Sequence, residues 1–80
     1  MTWTERVVAA AYADVLGLPA DHIGLNDDFF ALGGNSLSAA RVVRLLGEAL
    51  DADVAVPAIL ADPTVAGLAE RIAGSTAGSP

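Results

Sequence analysis

An 80-residue chain without cysteine can form one small domain, with no disulfide bonds and no thiolate metal ligands. Its four Lys and Arg residues against ten Asp and Glu residues give a formal net charge of −6, which argues against a nucleic acid as a partner. The longest apolar run, residues 7–13, is far shorter than the roughly 20 residues that span a bilayer, and no targeting signal is present, so we expect a cytoplasmic protein and no membrane partner.

The first predicted helix begins at Thr2 or Trp3 and ends near Leu16. Thr2 and Glu5 have the spacing of a capping box, in which each side chain binds a free backbone N–H group, and Gly17 is the expected end of the helix. Helical spacing predicts a core stripe of Val8, Ala11, Tyr12 and Val15, with the tyrosine hydroxyl at the rim. The solvent side is predicted to hold Arg6, Ala10, Ala13 and Asp14.

A long connection follows, from Leu18 to Gly34. Connections of this length in a small domain are usually either functional or disordered. This one contains apolar side chains that favour an ordered path: Ile23, Leu25, Phe29, Phe30 and Leu32. We therefore expect the connection to pack across the bundle and to hold the start of the next helix in place.

The second predicted helix begins at Asn35 or Ser36 and ends near Leu50. An advance of about 100° per residue places one arc against the core, formed by Ala39, Val42, Val43, Leu46, Ala49 and Leu50. The opposite side holds Leu37, Arg41, Arg44 and Glu48. Leu37 is therefore the one large apolar residue on a face that otherwise consists of charged side chains.

The rest of the chain predicts one short and one longer helix. Pro57 is well placed to begin a short helical turn over residues 57–61. The last helix is predicted from about Thr64 to Ala73, with Gly74 as its end. Its apolar residues recur at core spacing: Val65, Leu68, Ala69 and Ile72.

These elements predict an all-α fold, a small three- to four-helix bundle with a long first loop. Val54 and Val56 alternate like a strand, but no partner strand is available, so they are interpreted as extended loop. Residues 1–74 are expected to form the single domain, and residues 75–80 a linker-like or disordered tail.

The stretch LGGNSL, residues 32–37, places Ser36 at the predicted start of the second helix. A nucleophilic serine needs a base, yet the only histidine, His22, lies in the long connection, and the last glycine of G-x-S-x-G is missing. We therefore do not expect an enzyme. Two interpretations stay open: Ser36 is a helix N-cap, or it is the substrate of another enzyme. The second is reasonable because a helix N-terminus favours a phosphate, and the two glycines would leave the approach free of side chains.

The segment DDFFALGGNSLSAARVVRLL, Asp27 to Leu46, resembles the core motif of peptidyl carrier domains, or thiolation domains, of nonribosomal peptide synthetases. That motif is roughly D-x-F-F-x-L-G-G-[HD]-S-[LI], and the chain matches it at Asp27, Phe29, Phe30, Leu32, Gly33, Gly34, Ser36 and Leu37. The similarity extends to VLGLP, residues 15–19, and to PTVAGLAERI, residues 63–72, so it covers nearly the whole chain. The resemblance implies an acyl-carrier-protein-like helical bundle.

The resemblance also implies a cofactor and a function. Ser36 would receive 4′-phosphopantetheine from coenzyme A through a phosphopantetheinyl transferase, with Gly34 and Asn35 beside the attached group. The thiol of this arm would carry aminoacyl or peptidyl groups as thioesters between partner domains, namely adenylation, condensation, and thioesterase or tailoring domains. The chain itself would be a non-catalytic, monomeric carrier without a metal site.

Four residues are candidates for partner binding. Leu37 is a candidate because of its position on the charged face of the second helix. Arg41 and Arg44 either contact partner domains or belong to a solvated helix face. Phe30 either docks a partner or, with Phe29, anchors the long connection in the core.

Two alternative functions stay open. A polyketide-type acyl carrier is the first, although such carriers typically read D-S-L rather than G-G-x-S-L, and fatty-acid carriers have a strongly acidic second helix that this chain lacks. The second is a helical interaction module in which Ser36 is only a helix cap. Position 35 is Asn where the family more often has His or Asp, which leaves open the downstream partner.

Overall fold

Four α-helices and one short 3₁₀ turn make up the regular structure of the computed structural model, which describes residues 1–77. Helix α1 is Trp3–Leu16, α2 is Ser36–Leu50, α3 is Val56–Ala61 and α4 is Val65–Ala77, and the 3₁₀ turn Ala20–His22 lies between α1 and α2. Within residues 1–77 the β pairing is limited to one isolated antiparallel bridge, between Asp28 and Thr64. The predicted all-α bundle with a long first loop is confirmed.

Helix α1 is the central element, since it packs against both α2 and α4, while α3 joins α2 to α4. Its ends follow from the local sequence. The Glu5 N–H donates to Thr2 Oγ1 at 3.1 Å and the Thr2 N–H donates to Glu5 Oε1 at 2.6 Å, which completes the predicted capping box. Gly17 ends the helix with a φ of 71°, a left-handed conformation that favours glycine.

The core contains apolar side chains from every helix and from the long connection. Its largest fully buried members are Tyr12, Phe29, Leu46, Ile59, Leu68, Val8, Val42 and Val65. Two of the predicted assignments to helix faces are wrong. Ala13 is buried rather than solvent-facing, in a helix that packs against α2, α4 and the 3₁₀ turn. Ala49 is exposed rather than buried, and it lines a shallow apolar groove between α1 and α2.

The long connection packs across the bundle, as expected, and is fastened to the start of α4. The Phe29 N–H donates to the Pro63 carbonyl at 3.0 Å, and the Ala66 N–H donates to the Leu25 carbonyl at 2.9 Å. The Tyr12 hydroxyl donates to the same Pro63 oxygen at 2.8 Å. Tyr12 is fully buried, so the prediction that its hydroxyl lies at the rim is wrong.

Helix α4 continues past its predicted end at Ala73 and runs to Ala77. Gly17 and Gly33 have positive φ angles, but Gly74 does not, and proline does not recur before Pro80, so nothing forces the helix to stop at Gly74. Of the predicted tail, residues 75–77 are therefore helical, and residues 78–80 lie outside the described residues. None of the helices in residues 1–77 combines the length and apolar character needed to cross a bilayer.

Candidate functional site

The N-terminus of α2 is capped by Asn35 and Ser38. The Ser38 N–H donates to Asn35 Oδ1 at 2.9 Å, and the Asn35 N–H donates to Ser38 Oγ at 2.8 Å. Together these bonds form a complete capping box, with Asn35 at the N-cap and Ser36 as the first residue of the helix. The hypothesis that Ser36 serves as the helix cap is therefore wrong.

The Ser36 side chain is exposed and free of hydrogen bonds. Within the described part of the chain, no group donates to its hydroxyl or accepts from it. The first backbone N–H groups of a helix lack intrahelical acceptors, and the helix dipole places partial positive charge at this end. A phosphate attached to Ser36 would therefore lie at the favourable end of α2, and its attachment would break no existing contact.

The two glycines before this site are needed for different reasons. Gly33 has a φ of 110°, a conformation that other residues rarely adopt, and the space beside its Cα is open. At Gly34 a Cβ atom would overlap the ring of Phe29. The sequence suggested that both glycines clear the approach to Ser36, whereas Gly34 in fact faces a buried aromatic ring.

Phe29 is the residue whose importance to the site the sequence did not reveal. It is fully buried, and its ring centroid lies 4.8 Å from that of Tyr12 and 5.4 Å from that of Phe30. Its carbonyl accepts the Gly34 N–H at 3.0 Å. In the sequence, the one indication of this role was the position of Phe29 in the motif, five residues before Gly34. That spacing alone does not show that the ring and the glycine are in contact.

Three of the four candidate partner-binding residues lie on one exposed face of α2. Leu37 is 79% exposed, which confirms its predicted orientation. Arg44 is exposed and its Nε lies 3.7 Å from Glu48 Oε1, whereas Arg41 is exposed and forms no ion pair within the described residues. Phe30 is half-buried, with its ring edge-on to that of Phe29, so it helps to anchor the long connection.

A small helical bundle that presents one free hydroxyl at the start of its second helix has the architecture of a carrier domain. Residues 6–72 match the family model described as "Phosphopantetheine attachment site". The chain belongs to this phosphopantetheine-binding family. The predicted phosphopantetheine-binding carrier family is thereby confirmed.

Individual relatives confirm the predicted resemblance to peptidyl carrier domains. The chain is 40% identical over 75 residues to tyrocidine synthase 3 of Brevibacillus parabrevis, a match that covers 94% of this chain and 1% of that protein's length. It is also 40% identical over 68 residues to a dimodular nonribosomal peptide synthase of Bacillus subtilis, which covers 85% of this chain and 3% of that protein. The chain therefore corresponds to a small segment of these much longer proteins.

Solved structures share the fold of the chain. It is similar to a structure titled "Non Ribosomal PCP domain", with a TM-score of 0.77, 36% identity, and coverage of 88% of this chain and 87% of that one. It also matches a chain from the structure of the phosphopantetheine transferase Sfp with coenzyme A and a peptidyl carrier protein, with a TM-score of 0.84, 28% identity, and coverage of 92% and 94%.

The group that this family carries is 4′-phosphopantetheine from coenzyme A. The start of α2 fits that group, because a free, exposed hydroxyl lies at the N-terminal end of the helix, where the helix dipole places partial positive charge. When bound, the group supplies a thiol that holds acyl groups as thioesters. A carrier of this kind would have to present the hydroxyl and to hold the helix end in a fixed position.

Proposed function

We propose that Ser36 is the attachment residue and that the chain is a non-catalytic carrier of aminoacyl or peptidyl groups in nonribosomal peptide synthesis. The observation that carries this proposal is the capping box of Asn35 and Ser38, which leaves the Ser36 hydroxyl free at the start of α2. Gly34 and Asn35 flank the attached group. The base that activates Ser36 comes from the phosphopantetheinyl transferase, so the carrier has only to present the hydroxyl.

The partners in this proposal are a phosphopantetheinyl transferase and the adenylation, condensation, and thioesterase or tailoring domains of a synthetase. A monomeric carrier in the cytoplasm is consistent with this role. Leu37, Arg41 and Arg44 form the docking face, since they lie exposed on the helix that starts with Ser36. Phe30 supports this face indirectly, by anchoring the connection that leads to Ser36.

The attachment residue can be identified by comparing two serines of the same helix turn. The protein is incubated with coenzyme A and a broad-specificity phosphopantetheinyl transferase, and its intact mass is measured. We expect the wild-type chain to gain one phosphopantetheine and Ser36→Ala to gain none. Ser38→Ala is the matched control: it removes a hydroxyl two residues away that is engaged in the capping box, and it should still be modified.

Modification of Ser36→Ala, or failure of the wild-type chain to react, would refute the proposal. The group that is loaded onto the modified protein then shows whether the carrier is of the peptidyl or the acyl type. Loading of the modified protein by an adenylation domain with an amino acid supports the peptidyl type, whereas loading only by an acyltransferase would assign it to the acyl carriers.

A further inference from the structure

The position of Ser36 relative to the core is determined through the backbone rather than by contacts of its own side chain, which is exposed and unbonded. Two residues before Ser36, Gly34 is in contact with a buried side chain. The Gly34 N–H donates to the Phe29 carbonyl at 3.0 Å, and the Phe29 ring occupies the space where a Cβ of Gly34 would lie. Both of these interactions of Gly34 are made with Phe29.

Phe29 is itself held from several sides. It is fully buried, its N–H donates to the Pro63 carbonyl at 3.0 Å, and its ring packs against that of Tyr12 at 4.8 Å between centroids. The preceding residue stabilises the turn that follows, since Asp28 Oδ1 accepts the N–H groups of Phe30 at 2.8 Å and Ala31 at 3.2 Å. The ring is thus a fixed surface of the core on which the turn into α2 lies.

We infer that Phe29 is a positioning residue for the modification of Ser36: its ring sets the height of the Gly34 backbone above the core and, two residues later, the location of the hydroxyl. This inference rests on the proposed attachment at Ser36. A hydroxyl that must be activated by a second protein requires accurate placement, and a displacement of about 1 Å can reduce a rate by on the order of 100-fold. Phe29 acts without touching the reacting atoms.

The contact predicts a specific pattern among variants. Gly34→Ala adds a methyl group that collides with the ring and lifts the turn, and Phe29→Leu removes the ring and leaves the turn unsupported. Each change alone should lower the rate of phosphopantetheine transfer, at limiting carrier concentration, by about tenfold or more. In the double variant the alanine methyl occupies part of the space that the ring has left, so its rate should exceed that of both single variants.

Gly33→Ala is the matched control. Its backbone conformation is unfavourable for alanine, but nothing lies within 4 Å of the added methyl group, so Phe29→Leu should not rescue it. Transfer rates are compared with the free energy of unfolding of each variant, at a temperature where all are folded. If Phe29 had only a structural role, the transfer rate of each variant would follow its free energy of unfolding. If Phe29 positions Ser36, the double variant should be modified faster than Phe29→Leu even where its free energy of unfolding is no higher.

Four outcomes are decisive. Rescue in the Gly34 pair without rescue in the Gly33 pair supports the inference. Wild-type rates in the single variants, or a double variant no faster than Phe29→Leu, overturn it. If Gly34→Ala does not fold, the inference is still tested by comparing the transfer rates of the double variant and of Phe29→Leu. Absence of transfer to the wild-type chain would instead refute the attachment at Ser36, so the two failures are distinguishable.

Discussion

Ser36 and Ser38 belong to the same helical turn, yet their hydroxyls have opposite roles. Ser38 Oγ accepts the Asn35 N–H at 2.8 Å and is therefore part of the cap, whereas the Ser36 hydroxyl has no partner in the described residues. A Ser or Asn at a helix start ordinarily satisfies a free N–H group. Because Asn35 and Ser38 already do this, Ser36 is available for chemistry without loss of helix stability.

Leu37 permits a test of the docking face at the level of one residue. Its side chain is 79% exposed, so Leu37→Asp should change the free energy of unfolding by less than about 0.5 kcal/mol. The same change should lower the rate of phosphopantetheine transfer, because it places a carboxylate where a partner would make an apolar contact. Chemical denaturation and intact-mass kinetics measure the two effects.

Ala10→Asp is the control for the added charge in Leu37→Asp, since Ala10 is an exposed position on α1. It should leave the transfer rate unchanged. A Leu37→Asp protein that is strongly destabilised would place Leu37 in the core, and one that is modified at the wild-type rate would remove Leu37 from the docking face.

At the scale of the elements, two glycines near helix ends behave differently. Gly17 ends α1 in the left-handed conformation with a φ of 71°, and its N–H donates to the Ala13 carbonyl. Gly74 lies within α4, does not have a positive φ, and has open space beside its Cα. The same residue type therefore ends one helix and is included in the other.

This difference predicts alanine substitutions with opposite signs. Gly74→Ala should stabilise the protein by about 0.5–1 kcal/mol, since glycine is less favourable than alanine inside a helix by that amount. Gly17→Ala should destabilise it by about 1 kcal/mol, because alanine is strained at a positive φ. Thermal or urea unfolding measures both. A destabilising Gly74→Ala would mean that α4 ends at Gly74 after all.

At the scale of the whole molecule, the Pro63 carbonyl joins three parts of the fold. It accepts the Tyr12 hydroxyl from α1 at 2.8 Å and the Phe29 N–H from the long connection at 3.0 Å, while Pro63 itself lies between α3 and α4. Burial of Tyr12, with a further contribution from the Asp28 carboxylate, raises the pKa of Tyr12 well above its usual value near 10. The folded state therefore favours the neutral phenol, which keeps the donor in this junction.

Alkaline pH should accordingly destabilise the fold. Because the pKa of Tyr12 is higher in the folded than in the unfolded state, its contribution to stability is fully present below about pH 10 and is lost as the pH rises through the folded value. The chain has one tyrosine and no lysine or cysteine. No other side chain therefore titrates between about pH 10 and the higher pH at which arginine loses its proton. The ultraviolet absorbance of tyrosinate therefore reports Tyr12 alone.

Tyr12→Phe keeps the ring and removes the proton donor. It should lower the free energy of unfolding at neutral pH by about 1 kcal/mol and should make the loss of stability above about pH 10 less steep. An ordinary tyrosine titration in the folded wild-type protein would contradict the assignment of a raised pKa.

The sequence by itself was sufficient for the features that depend on near neighbours in the chain. The capping box of Thr2 and Glu5, the end of α1 at Gly17, the charged face of α2 and the carrier motif around Ser36 are all of this kind. Such features are predictable because interactions over three or four residues are set by helix geometry. Which of Asn35 and Ser36 caps α2 was undecided, since both residue types are good caps.

Tertiary structure alone decided how the site is held. The Tyr12 hydroxyl reaches a carbonyl 51 residues further along the chain, and the same carbonyl positions Phe29, whose ring excludes a side chain at Gly34. Likewise, Ala13 is buried although helical spacing predicts it on the solvent side, because α1 packs against several other elements. Local periodicity carries no information about these contacts, because they depend on how separate elements pack together.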